Sequence, residues 1–300
     1  MTSKIRLTYG ITPPKASHSE PRRREIAGIQ ARRIAKLPVD ALVVYDLQDE
    51  SSRTEAERPF PFRSTIDPLD YAYDYLSAVS AHKIVYRSVS GQDPKGLRSW
   101  LTRLAERGGS TVLVGAPSRR HTSSLRLKDA YLIRQETQPT LPTGGVVIAE
   151  RHSMGATEDG RVLKKVDQGC SFFISQAVYS LTATKDLLSD LYFRCQEDGR
   201  AVPPILVTLS PCGSQKTLDF MHWLGIDVPR WLRNELHHAN DILQKSVDIS
   251  LTAYEELLAF ADEKNIPLGC NIESVSLAKS EIEASVEMVH RAAKLMNRAP

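Results

Sequence analysis

Short apolar runs in this 300-residue chain are followed at once by side chains able to do chemistry. Asp46 and Asp49 come after 41–45 (ALVVY), Arg87 and Ser88 after 83–86 (KIVY), and Glu150 and His152 after 146–149 (VVIA). Gln176 and Tyr179 come after 171–175 (SFFIS), Ser210 and Cys212 after 205–209 (ILVTL), and Asn271 and Glu273 stand at the end of 268–272 (LGCNI). Tyr9 and Gly10 close the first run, 5–11. If the runs are strands lying side by side, these residues gather at one end. Carboxylates there give or take protons, and the amides and hydroxyls orient a ligand rich in hydrogen-bonding groups. The competing account is structural: the carboxylates are solvated loop charges or pair with Arg87 and Arg151.

Other residues carry less. Cys212 lies in Ser-Pro-Cys-Gly, but a thiol nucleophile needs an activating base and the sequence shows none. His237 and His238 are adjacent, and adjacent side chains on a helix diverge by about 100°, so the pair is not read as a metal site. The four cysteines form no CxxC pair, so neither a zinc site nor a disulfide framework is expected. Arg119, Arg120 and His121 are a candidate anion site or else a solvated loop, followed by an N-cap cluster at Thr122, Ser123 and Ser124. Arg22, Arg23 and Arg24, with Arg32 and Arg33, read as a solvated helix face. Trp100, Trp223 and Trp231 lie in helical stretches and point to core or subunit-interface packing, which leaves a homo-oligomer open.

The elements that must position these groups follow from pattern. The runs 41–45, 83–86 and 111–114 (TVLV), the last bringing the runs to eight, are four or five residues long and largely apolar, as parallel strands covered on both faces require. Between them lie segments with helical spacing at 25–37, 68–79, 94–107, 125–134, 161–167, 185–197, 216–224, 254–264 and 280–296. Asp67 and Asp93 are N-cap residues for two of these, and Gly108-Gly109 stops the second. The polar stretches 51–64 and 135–145 read as loops. Eight strands alternating with helices over one domain, 1–300, is the arithmetic of an α/β (β/α)8 TIM barrel. A doubly wound open sheet is the alternative, but the residues after the first strand, Gly10 to Pro14, form no GxGxxG. In a barrel the working groups sit where the strands end.

Composition narrows the partners. Hydrophobic residues make up 41% of the chain, enough for a large core, and the net charge of +3 gives no basic face for nucleic acid. No apolar run approaches the roughly 18 residues that cross a membrane, and the first residues lack the apolar core of a signal peptide. The scattered thiols fit a reducing cytoplasm.

Three stretches have a familiar order. Residues 9–14 (YGITPP) match an opening FEFFPP, 163–176 (LKKVDQGCSFFISQ) match LKRKVDAGAxxxITQ, and 204–232 end in a PRWL-like stretch at 229–232. Together they resemble the methylenetetrahydrofolate reductase family over nearly the whole chain. The resemblance implies a barrel whose mouth holds flavin, nicotinamide and folate. Hydride passes there from NAD(P)H to FAD and on to methylenetetrahydrofolate. By position, the resemblance makes Gln176 a folate contact and Phe220 an aromatic packed on the ligand, and it sets His152, Glu158 and Lys165 at cofactor contacts. Other positions depart. The family's acidic glutamate is Gly10, which has no proton to give, and its strand-four RGD is Val114-Gly115-Ala116, so Ala116 stands at a cofactor position without the carboxylate. The HFYTLNR-like segment is 269–273 (GCNIE), and YPExHPE survives only as 149–153 (AERHS).

The losses fall on the mouth while the framework words stay. Each hydrogen bond to a charged group is worth about 1.5–3 kcal/mol, so losing several removes the expectation of bound FAD. The expected ligand is a tetrahydrofolate derivative, and the leading activity is reduction of a methylene-folate by NAD(P)H without flavin. Glu150 is first in line to replace the lost acid, then Asp46, with Tyr9 and Asp49 completing the folate contacts. The alternatives are a folate-linked one-carbon transfer to a second small substrate, and a folate-binding protein without chemistry. No nucleic acid or membrane partner is expected.

Overall fold

In the computed structural model, which describes residues 5–49, 55–116, 125–153 and 157–298, the apolar runs pair in sequence order and close on themselves. The strands are β1 (Leu7–Ile11), β2 (Ala41–Val44), β3 (His82–Ser88), β4 (Ser110–Val114), β5 (Thr143–Val147), β6 (Cys170–Ala177), β7 (Ile205–Leu209) and β8 (Leu268–Ile272). Every neighbouring pair is parallel, including β8 with β1. The fold is the expected (β/α)8 TIM barrel.

Both faces of the strands are largely buried, which is why apolar residues stand on both sides of them. Ala41, Val43, Ile84, Tyr86, Val112, Phe172, Ile174 and Leu206 point inward and fill the barrel. Their neighbours, such as Leu7, Tyr9, Ile11, Leu42 and Val44, point outward and pack under the helices, with α1 (Glu20–Ile34) and α11 (Lys279–Arg298) flanking β1. Trp100 and Trp223 are buried, whereas Trp231 is 61% exposed. All four cysteines are free and buried. Among the described residues, no helix is long and apolar enough to cross a membrane.

The boundaries differ from expectation where packing overrides local pattern. Strand β5 begins at Thr143, inside the stretch read as a loop. Its Gly144 is a packing residue: a Cβ there would come within 2.5 Å of the Phe172 ring. Ala149 opens a short helix, α5 (Ala149–Ser153), rather than ending the strand. Asp67 caps its helix as expected, with Oδ1 accepting from Leu69 N at 2.8 Å. That helix, α2 (Pro68–Asp70), then widens into a π-helical turn at Tyr71–Tyr75, and Tyr71, Ala72 and Leu76 are all fully buried. Between β7 and its outer helix α10 (Ile242–Glu263) stand two extra helices, α8 (Gln215–Trp223) and α9 (Arg230–His237). The sequence places Trp231 in a helical stretch without bounding it, and its helical spacing begins α10 only at 254. Both extra helices follow the C-terminal end of β7, so they sit on the mouth side of the barrel.

Candidate functional site

The mouth is built from inward-facing positions at the strand ends. On β8 alternation turns Gly269, Asn271 and then Glu273 inward, and Glu273 N still continues the ladder to Leu209 O of β7 at 3.1 Å. Asn271 is fully buried. Its Oδ1 accepts from the Thr8 hydroxyl at 2.8 Å, and its Nδ2 donates to Thr208 Oγ1 at 3.2 Å and to the Tyr45 hydroxyl at 2.9 Å. Thr208 gives its own proton to the Ser175 carbonyl at 2.6 Å, so it accepts from Asn271. The Tyr45 hydroxyl accepts from Asn271, whose two N–H groups are thereby both used, and faces the Glu273 carboxyl. The direction of each bond is thereby set.

Tyr45 packs edge-on against Tyr86, with ring centroids 4.7 Å apart. Burial holds both phenols far above their ordinary range. Burial also raises the Glu273 carboxyl above its ordinary value, against the neighbouring polar groups of Tyr45 and Asn271 that favour its charged form. Across this cluster lies Gly10. A Cβ there would sit 2.7 Å from Tyr45 Cε2 and 3.0 Å from Glu273 Cβ, so the glycine leaves the space in which those side chains meet.

Around this floor runs a polar rim. Asp46 accepts from Ser88 N at 2.8 Å and lies 3.8 Å from Arg87, whose closer acid is Asp67 at 2.9 Å. Burial raises the Asp46 carboxyl. Glu150, in the first turn of α5, is 7% exposed. Burial pushes its carboxyl up to about 7, and the charge of Asp227 adds to the rise. Gln176 donates to the Leu224 carbonyl past α8 at 3.0 Å. Its Oε1, the Ser210 hydroxyl and Gln48 Oε1 are buried with no hydrogen-bond partner among the described residues. These three atoms belong to the ends of β6, β7 and β2. Buried polar atoms are ordinarily satisfied, so three orphans around one mouth are a set that a ligand with donors and acceptors would complete.

Phe220 on α8 is buried in an aromatic group. It meets Phe60 edge-on at 5.2 Å and stacks on Trp223 at 6.1 Å, while the Arg58 guanidinium lies 5.3 Å from Phe220 and 4.9 Å from Trp223. Trp223 Nε1 donates to the Ala56 carbonyl at 3.0 Å. Residues 56–60, beyond β2, thus reach the helix that follows β7, over the ends of β1 and β8.

Several expected site residues lie elsewhere. Tyr9 is a correction: its ring faces outward from β1, and its hydroxyl is 3.0 Å from Ser285 Oγ on α11. Tyr9→Phe is expected to cost about 1 kcal/mol of stability, the value of one buried hydrogen bond, and to leave ligand affinity at the mouth within twofold. Urea denaturation and calorimetry check the two halves, and a tenfold loss of affinity would return Tyr9 to the site. His152 Nε2 is 2.9 Å from Asp190 on α7 (Leu181–Glu197), and its Nδ1 is 3.6 Å from Asp159. Glu158, 1% exposed, accepts from Ile148 N at 3.2 Å and pairs with Arg161 at 3.2 Å. Lys165 donates to the Val146 carbonyl, with its stem against Gly145 on the outer face of β5. These three hold the shell around β5 together. Ala116 stands half-buried at the rim after β4 and offers only a methyl group, and Asp49 is exposed on the loop after β2. Burial pushes the Cys212 thiol up to about 12, the opposite of what a nucleophile needs. Residues 119–124, the candidate anion site and its cap, lie outside the described residues.

The sequence reading missed Tyr45 and the pairing of Glu273 with it. Both residues stand at strand ends, which was the available signal.

No protein-family model matches this chain, and no curated protein matches it. Among solved structures, an uncharacterized protein from Clostridium thermocellum that binds two copies of 5-methyl-5,6,7,8-tetrahydrofolic acid is 44% identical to this chain. The match covers 94% of this chain and 93% of that one, with a TM-score of 0.83. A GH113 β-1,4-mannanase, 11% identical over 96% of this chain and 97% of its own, has a TM-score of 0.53 and shares the fold alone.

Proposed function

The chain belongs to the family of this Clostridium thermocellum protein, and on that premise we propose that it binds a reduced folate at the barrel mouth and reduces a methylene-folate with NAD(P)H, without a flavin. The observation that carries the folate reading is 44% identity, over 94% of the chain, to a protein that binds the 5-methyl form. That form is what reduction of a methylene-folate yields. A pterin ring presents donors and acceptors along one edge, and the orphan atoms of Gln176, Ser210 and Gln48 offer matching partners.

The resemblance to methylenetetrahydrofolate reductases implies FAD, and the residues present do not fit it. The positions assigned to cofactor contact are engaged within the protein: His152 with Asp190, Glu158 with the Ile148 amide and Arg161, and Lys165 with the Val146 carbonyl. Ala116 adds no polar group. Hydride would therefore pass from the reduced nicotinamide to the methylene carbon directly, with alignment of the two reactants supplying much of the rate. Opening the five-membered ring also needs a proton at the departing nitrogen. Burial raises three carboxyls at the mouth, those of Asp46, Glu150 and Glu273.

The test is direct. The purified protein is expected to lack flavin absorbance, to bind 5-methyltetrahydrofolate saturably in calorimetry, and to oxidise NADH or NADPH only when methylenetetrahydrofolate is added. Absence of saturable folate binding would sink the whole reading. Binding with no nicotinamide oxidation would remove the redox step. Loss of the 5-methyl group only when a second small substrate is present would replace that step with one-carbon transfer.

A further inference from the structure

We propose that Glu273 is the acid that delivers the proton for ring opening, with Tyr45 and Asn271 as positioning residues and Gly10 as the gap that admits them. The proposal rests on the reductase reading and names the group that serves it.

Position selects Glu273 from the three carboxyls. Asp46 is held at the rim by the Ser88 amide and stands beside Arg87, whose positive charge favours its ionised form. Glu150 belongs to the wall after β5, four strands from β1 and directly across the barrel from Gly10. Glu273 stands one residue past β8, where its amide still continues the ladder to Leu209 O and alternation turns its side chain inward, 3.0 Å from where a Cβ on Gly10 of β1 would lie.

The hydrogen-bond directions fit an acid that returns to one place after each turnover. Asn271 is fixed by Thr8 and Thr208 on either side, so its second Nδ2 hydrogen is aimed at the Tyr45 hydroxyl and holds that ring beside Glu273. Tyr45, already accepting from Asn271, has its own proton to offer the carboxylate that forms once the acid's proton has left. The Tyr45 hydroxyl favours the carboxylate product, while burial raises the group toward its protonated form beforehand. The titratable groups facing it are Tyr45 from β2 and Tyr86 from β3, and both stay neutral.

The step balances as follows. The Glu273 proton goes to N10 of the folate as the bond from N10 to the methylene carbon breaks, leaving an N5 iminium and a carboxylate. Hydride from NAD(P)H then adds to the iminium carbon, giving the 5-methyl group and NAD(P)+. Solvent reprotonates the carboxylate.

Glu273→Gln keeps the size and the hydrogen bonds but has no acidic proton. It is expected to lower kcat by at least about 100-fold, the usual worth of a general acid, with 5-methyltetrahydrofolate affinity within threefold of wild type. Wild-type kcat is expected to fall as pH rises through the Glu273 ionisation. Tyr45→Phe removes a donor to the carboxylate and is expected to move that limb to higher pH, a displacement that a packing role alone would not produce. Glu273→Gln with kcat within threefold of wild type would overturn the proposal while leaving the reductase reading intact. An unmoved limb in Tyr45→Phe would overturn the role given to Tyr45. A wild-type protein that binds folate and oxidises no nicotinamide would take down the reductase reading, and this assignment with it.

Discussion

Asn271→Leu is expected to lower the folding free energy by about 3 kcal/mol, with the urea midpoint displaced and the slope unchanged. Leucine has the same branching and larger terminal groups, so the loss is not that of a cavity. The amide is fully buried and joins three strands and the Tyr45 hydroxyl at 2.8, 3.2 and 2.9 Å. With leucine there, the Thr8 hydroxyl loses its acceptor inside the barrel, and Thr208 and Tyr45 each lose a donor. A buried polar group left unsatisfied costs about 1–3 kcal/mol. Thr208 still donates to the Ser175 carbonyl, which keeps the total at the lower end. Thr8→Val, which silences a single hydroxyl, should cost about 1 kcal/mol. Because the two residues share a bond, the double variant should lose less than the two single losses together. An Asn271→Leu protein within 1 kcal/mol of wild type would mean that the polar layer adds nothing to the barrel.

The polar layer also marks how far the chain could be read without coordinates. The alternation of apolar runs and helical spacing carries the barrel, because strands buried on both faces and amphipathic helices leave different periods. The same double burial hides which side of a strand is inward. Tyr9 and Gly10 are neighbours on β1, and in a strand buried on both sides burial alone does not tell which of them faces the barrel. Tyr9 turns out to face α11 and Gly10 faces Tyr45. At Gly10 the sequence showed only a missing carboxylate; the packing shows a space occupied from β2 and β8. His152, Glu158 and Lys165 failed for a related reason. They lie just after β5, but the turn of α5 and of α6 (Glu158–Asp167) carries them into the layer between helices and strands, where each has a protein partner. Glu150 was chosen for its place along the chain, and burial in the first turn of α5 gives it a proton to hold.

That proton makes Glu150 the source of a second large effect. Its carboxyl ionises at about 7 in the folded protein, against an ordinary value of 4.5 that applies once the chain unfolds. Below 4.5 both states are protonated and the contribution of Glu150 to stability is fully present. As pH rises past 4.5 the unfolded chain releases the proton while the folded chain keeps it, so stability drains until about 7, where the folded carboxyl ionises as well. At about 1.4 kcal/mol per pH unit, the gap amounts to about 3 kcal/mol. Asp46 and Glu273 push wild-type stability in the same direction, so the wild-type curve alone cannot single out Glu150. Glu150→Gln can, because glutamine does not titrate. The free-energy difference between Glu150→Gln and wild type, measured by urea denaturation at pH 4 and pH 8, is expected to move in favour of the variant by about 3 kcal/mol. A difference that stays flat across that window would mean that the carboxyl is hydrated in the folded protein and ionises like any surface glutamate. Glu150 would then join the solvated charges of the rim, and with it would go its standing as a proton-holding group at the mouth.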